Sequence, residues 1–526
     1  MFIWALVACA PAVDPSAMLD TAEAVCEPPA PPPMRRLSHV EYRNTVRDLF
    51  GGIELPEVGL ASDVQLFGFE NNAELMVPSE LLVEQYQGAA EVIAGAAMQD
   101  RNAWMPCTEA EADCPQRFVR DFGLRAYRRP LQQSELDSLG VHFDAERALD
   151  GFDAAVERTL WVMLQSPQFL YRLELDPPDG HEWVPLDGWE MASRLSYLLW
   201  QTMPDDRLFD AARHARLSTE VEIRAEAQAM LQDARARSTV ADFHRQWLDV
   251  DDVHDVRRDP TVYPDFDASF TASMAQETLL FAEHHVFDGA GTLDALLTGH
   301  QTYVDPTLAD LYGVSPPPPG TWALTPLDPS QRAGLLTTSA FLASRGHAIH
   351  PSPVLRGVTV LERVLCTPVP PPPPGIDLSP PDDQSAGATN RERYALHSQV
   401  DECASCHASI DGVGFGFEHY DATGAWRDTD GGYPVDATGE LVGTDIDGGF
   451  DGAVALADRL ASSRDVERCF ATQWFRFAHG RDEDFADRCT VNELAEGLAV
   501  EGGSVHNFLV ELAVDRSYTH FPPVTP

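Results

Sequence analysis

The sequence predicts a mainly α-helical protein of several segments. Apolar residues recur at helical spacing in run after run, several runs open on a capping residue, and long alternating apolar–polar stretches are scarce. The chain has 526 residues, more than one hydrophobic core organises, so roughly two to four structural units are expected.

The elements follow in order. "MFIWALVACA" is an apolar run too short for a bilayer span, which needs about 20 apolar residues. Its Leu6-Val7-Ala8-Cys9 matches the end of a bacterial lipoprotein signal, a small residue before the cysteine that receives lipid, although the basic leader region is missing. Residues 1–9 are therefore expected to be a lipoprotein signal, with Cys9 as the acylated anchor. Residues 10–34 form a Pro-rich tether, stiffest at "PPAPPPM" from Pro28 to Met34. An N-terminal helical domain is expected over 35–150. Its first helix has Ser38 as N-cap and Glu41 three residues on, a capping box, with Leu37 and Tyr42 placed as a hydrophobic staple. Tyr42, Val46, Leu49 and Phe50 share one face, and Gly51-Gly52 stops the helix. Ser134 is the expected cap of a later helix.

A central helical domain is expected over 151–315. It has Leu160, Met163 and Leu164 before a Ser166-Pro167 break, and a Met191, Leu195, Leu198, Leu199 stripe closing at Pro204. Residues 316–388 hold a helical segment and a long polyproline linker, "TPVPPPPPGIDLSPPDD", from Thr367 to Asp383. A distinct segment over 389–452 and a C-terminal helical domain over 453–526 complete the chain.

The formal net charge is −46, a surface that repels phosphate backbones and excludes nucleic-acid binding. Nine cysteines are present. Setting aside Cys9 and the close pair Cys403 and Cys406 leaves an even number, as disulfides in an exported protein require. Cys107 with Cys114 closes a short acidic loop. Cys469 with Cys489 lies in one helical region, and Cys26 with Cys366 remains by elimination.

The segment 389–452 carries Cys403-Ala404-Ser405-Cys406-His407. Two thiols three apart can add to the two vinyl groups of haem, and the adjacent histidine is aimed at iron. Zinc wants four ligands and usually a second Cys or His pair, which is missing here. A redox dithiol wants a thioredoxin-like setting, and a structural disulfide gives His407 no role. The expected cofactor is thus a single covalent haem c on Cys403 and Cys406, with His407 as axial ligand. All eleven methionines lie at or before Met274, so no methionine follows the motif. The second axial position falls to a histidine, a distant methionine or an open site. His347 and His350, in "SRGHAIHPSPVLRG", are candidates from the body, and His419 is close in sequence. Aspartates in "DTDGG" and "DIDGG" read as turn formers rather than a calcium loop. No Gly-x-Ser-x-Gly elbow, phosphate loop or His-Glu-x-x-His signature occurs.

Seven blocks in order carry a resemblance: "RRLSHVEYRNTVRDLFG", "FGLRAYRRPL", "MLQSPQFLYRLE", "ASRLSYLLWQTMPDDRLFDAA", "SPVLRGVTVLERVLC", "CASCHASIDGVGFGFEHYDATGAWR" and "FRFAHGRDEDFADRC". The chain resembles the exported planctomycete-type cytochrome c-like proteins, built from a string of domains of unknown function. The resemblance implies a small c-type-cytochrome-like haem segment near the C-terminus, docked on a multi-helical body. It implies haem on Cys403, Cys406 and His407, and it favours His347 over His350. His419 stands where relatives tend to have asparagine, and Gly412 replaces a usual proline, which implies a looser turn. The expected function is electron transfer by a lipid-anchored mono-haem protein of the bacterial cell envelope, with an unidentified redox partner and no membrane contact beyond the anchor. Whether the protein is an enzyme is left open. The alternatives are a haem enzyme, peroxidase-like or oxidative on an envelope polymer, and a non-haem binding or structural protein.

Overall fold

The computed structural model describes residues 33–174, 182–372, 389–394, 401–500 and 503–523, with the side chains of Asp401, Glu402, Cys403 and Ser405 excepted. The expected signal, Cys9, Cys26, most of the tether and the linker from 373 to 388 lie outside the described residues.

The fold is mainly α. Its strands are short and form five two-stranded ladders among the described residues. The first helix, His39–Leu49, starts where its capping box dictates: Glu41 N–H donates to Ser38 Oγ at 3.2 Å, and Ser38 N–H donates to Glu41 Oε2 at 2.8 Å. Ser134 does not cap the later helix. Gln132 precedes Gln133–Asp150 and shares a capping box with Glu135, which leaves Ser134 inside the first turn. The stripe at Met191 to Leu199 is buried in Gly188–Trp200, which ends on Gln201 in the left-handed region, before Pro204.

Apolar side chains gather in two cores. The smaller is built on His39–Leu49, Glu80–Ala97 and Phe152–Leu164. The larger takes in residues from Leu186 to Phe521 together with Phe69 and is centred on aromatic contacts, with Phe243 stacked on Trp474 at 3.8 Å. Ile410, Val413, Phe417 and Tyr420 belong to this larger core. The cysteine–histidine segment therefore shares its core with the helical body.

Two disulfides join described residues. Cys107 bonds Cys114, with Cα atoms 5.5 Å apart, and Cys366 bonds Cys469, with Cα atoms 5.3 Å apart. The second replaces the pairings Cys469–Cys489 and Cys26–Cys366. Val360–Val364 packs against Arg464–His479, which carries Cys366 onto Cys469 across 103 residues. Cys489, on Arg488–Ala499, is itself disulfide-bonded.

Candidate haem site

Cys403, Cys406 and His407 fall on one α-helix, Asp401–Gly414. Positions three and four apart share a helical face, so 403, 406 and 407 line one side. Cys406 and His407 are half-buried. One turn on, Asp411 is buried, and its Oδ1 lies 3.1 Å from His407 Nδ1. A carboxylate there holds the proton on Nδ1 and leaves the Nε2 lone pair for a ligand. This donor set fits a covalently attached haem: thiol positions spaced for the vinyl groups, and an imidazole whose other nitrogen is anchored. Asp411 lies outside the cysteine–histidine motif, and its i,i+4 spacing from His407 on a helix is the one sequence signal that marks it.

Close backbone packing positions the helix. Pro353–Thr359 crosses it, and a Cβ on Gly357 or Gly414 would overlap the carbonyl oxygens of Ile410 and Pro353 respectively. Gly412 lies within the helix, not in a looser turn. A Cβ there would meet the Glu440 carbonyl oxygen at 2.7 Å, so glycine lets strand Thr438–Leu441 cross.

Arginines of the body hold the chain just beyond the helix. Arg356, 1% exposed, donates to the carbonyls of Phe417, Tyr420, Asp421 and Leu342 at 2.8–3.0 Å. Arg258 donates to Ala422 O at 2.7 Å, and Arg332 to Gly424 O at 2.7 Å. Burial pulls the Arg356 guanidinium down to about 10, so it stays charged at neutral pH. The small helix Asn390–Tyr394 is fastened to the same turn, because Asn390 Nδ2 donates to buried Glu418 at 2.8 Å. These docking arginines form no motif in the sequence, since an isolated arginine carries no pattern.

The three further histidines have different settings. His347 and His350 share a tight loop immediately before Pro353–Thr359, with His347 N–H donating to His350 O at 2.8 Å. His350 Nδ1 lies 3.3 Å from an Arg393 nitrogen. The His347 ring makes no hydrogen bond to the described residues. Burial, then Arg258 and His350, lowers its pKa and keeps it neutral, as a metal ligand must be. His419 serves its own turn: Nδ1 lies 2.9 Å from Arg427 O, and the ring stacks on Trp426 at 4.3 Å. The "DIDGG" aspartates make turn and cap contacts, with Asp445 Oδ2 accepting from Arg464 N–H at 2.6 Å and Asp447 Oδ1 from Thr444 N–H at 2.7 Å. Among the described residues, no three His, Cys, Asp or Glu side chains converge into a set for a bare metal ion. No helix among them is long and apolar enough to cross a membrane.

Five domain families match the chain, each described as a protein of unknown function: DUF1587 over residues 35–99, DUF1595 over 114–174, DUF1592 over 186–314, DUF1588 over 332–430 and DUF1585 over 448–515. The DUF1588 match, also named PSCyt3, contains the helix of Cys406 and His407, the His347 loop and Arg356. No curated protein and no solved structure matches. The five matches, in this order along the chain, support its likeness to the planctomycete cytochrome c-like multi-domain proteins.

Proposed function

We propose that this protein is a mono-haem, c-type cytochrome-like electron carrier of the cell envelope, anchored through a lipid on Cys9. The observation that carries the reading is the buried Asp411 carboxylate on His407 Nδ1, on a helix that also presents positions 403 and 406. Cys403 and Cys406 would hold haem c by thioethers, and His407 would bind its iron through Nε2. A haem held there supplies one-electron redox chemistry. The chain's own residues do the rest: Asp411 orients the imidazole and strengthens its basicity, and the glycine contacts with Pro353–Thr359 fix the helix on the body. His347, neutral and on the loop entering that crossing helix, would be the second protein ligand to the iron.

The test is expression of the full chain in a host that matures c-type haem. Denatured protein is expected to retain a pyridine haemochrome, and the resting protein a six-coordinate low-spin spectrum. His407→Ala should abolish the low-spin signal while an unaltered far-ultraviolet spectrum reports intact folding. His347→Met should raise the reduction potential. Haem lost on denaturation, or a spectrum indifferent to His407→Ala, would refute the assignment. A high-spin resting spectrum would move the reading to a haem enzyme.

A further inference from the structure

A cavity of about 140 Å³ lies where four of the five family segments meet. Arg35 comes from the first segment, Arg172 and Glu174 from the second, Arg194 from the third and His479 from the last. Arg35–Arg36 and Tyr171–Arg172 form an antiparallel ladder in which Arg35 stands directly opposite Arg172. Like charges in that position repel.

The carboxylates nearby do not balance them. Glu41 Oε1 is 2.7 Å from Arg35 Nη2 but 3.7 Å from Arg172 Nη1, beyond hydrogen-bond length. Glu174 is engaged by Arg194, which binds it through two nitrogens at 2.7 and 2.6 Å. Three guanidinium groups thus face two carboxylates. The remaining one, on Arg172, makes no hydrogen bond to the described residues, although its side chain is only 7% exposed. Its guanidinium lies 5.1 Å from the Tyr197 ring centroid. Two residues that line the cavity also bury an unpartnered polar atom, Arg35 its Nε and His479 its Nε2. A buried cation whose only ion pair is a long one, to a carboxylate already hydrogen-bonded by Arg35, is under-compensated, and each unmet buried donor is costly.

We propose that this cavity binds a small oxyanion, a carboxylate or a phosphate, with Arg172 as its main partner, beside Arg35 and Arg194 in the cavity wall. The volume is close to that of a cavity which takes one benzene-sized molecule, so the ligand has only a few heavy atoms. Burial and the surrounding arginines hold the His479 imidazole well below its ordinary value, a field that an anion would relieve. The bound anion ties four family segments at one point, and its binding energy adds to their mutual stability. The site is remote in sequence from Cys406 and His407 and does not depend on haem.

The full chain, in anion-poor buffer at constant ionic strength, would be titrated with sodium phosphate and separately with sodium acetate, reading thermal midpoint and heat of binding. A saturable rise of the midpoint is expected with at least one of them. Phosphate alone, acetate alone or both would assign the oxyanion class. Arg172→Gln should weaken binding by about ten- to a hundredfold. Its midpoint without anion should equal or exceed that of the unaltered protein, because the cross-strand repulsion is gone. If Arg172→Gln does not fold, Arg172→Lys carries the same comparison, since it keeps the charge and loses the planar fork. No response to either anion, or an equal response from the Arg172 variant, would overturn the proposal.

Discussion

Arg356→Met is expected to loosen the docking of the cysteine–histidine segment on the body. The guanidinium donates four hydrogen bonds, to the carbonyls of Phe417, Tyr420, Asp421 and Leu342. Phe417 O and Asp421 O also accept from Tyr420 N–H and Gly424 N–H, so they keep one partner each in the variant. At about 1.5 kcal/mol for each charge-assisted bond, the loss is about 6 kcal/mol. Against this stands relief of the buried charge. Burial takes the guanidinium from 12.5 to about 10, a penalty of about 3 kcal/mol. The expected net loss is about 3 kcal/mol. Hydrogen exchange reads it locally, at Tyr420 N–H on Phe417 O, Asp421 N–H on Ala425 O and Arg427 N–H on His419 O. These amides should exchange about a hundredfold faster, while helix Ala234–Trp247 keeps its protection. Buried ion clusters are sometimes replaced by apolar residues at no cost. Protection unchanged within about threefold, equivalent to less than about 1 kcal/mol, would show that packing rather than the arginine fixes the segment.

Cys469→Ser should destabilise the chain by about 4–5 kcal/mol in the chain-entropy account, because the bond to Cys366 closes a 103-residue separation. Urea unfolding checks this, and mild reduction should reproduce the loss in the unaltered protein but add nothing more to this bond's loss in the variant. Acid should weaken the fold through His244, whose burial among aromatic rings lowers its pKa from 6.5 to about 4. A group depressed in the folded state keeps its full contribution above about pH 6.5 and loses it as pH falls toward about 4, here about 3 kcal/mol. Unfolding free energies at pH 7, 5.5 and 4 should show that slope, and His244→Gln should flatten it. In the haem-loaded protein, Asp411→Asn replaces a charged hydrogen bond on His407 with a neutral one. The difference of about 1 kcal/mol should raise the reduction potential by about 40 mV. An unmoved potential would separate Asp411 from the iron ligand.

The sequence by itself determined the helical class, the capping box at Ser38, the Cys107–Cys114 loop closure and the cluster of cysteines and histidine. Each is a local property. Caps, period and short loops are set by residues within a few positions of one another, and that information survives in a linear string. Tertiary structure decided the rest. It joined Cys366 to Cys469, because covalent pairing follows which helices pack and not which cysteines are adjacent. It turned Gly412 from a loosened turn into the crossing point of a strand. It gave His407 its carboxylate, committed His419 to its own turn, and set Arg35 opposite Arg172. A buried arginine acquires its meaning from carbonyls and carboxylates brought to it from distant parts of the chain. No spacing in the sequence encodes that, because the partners are chosen by the packing of apolar faces that carry the charges with them.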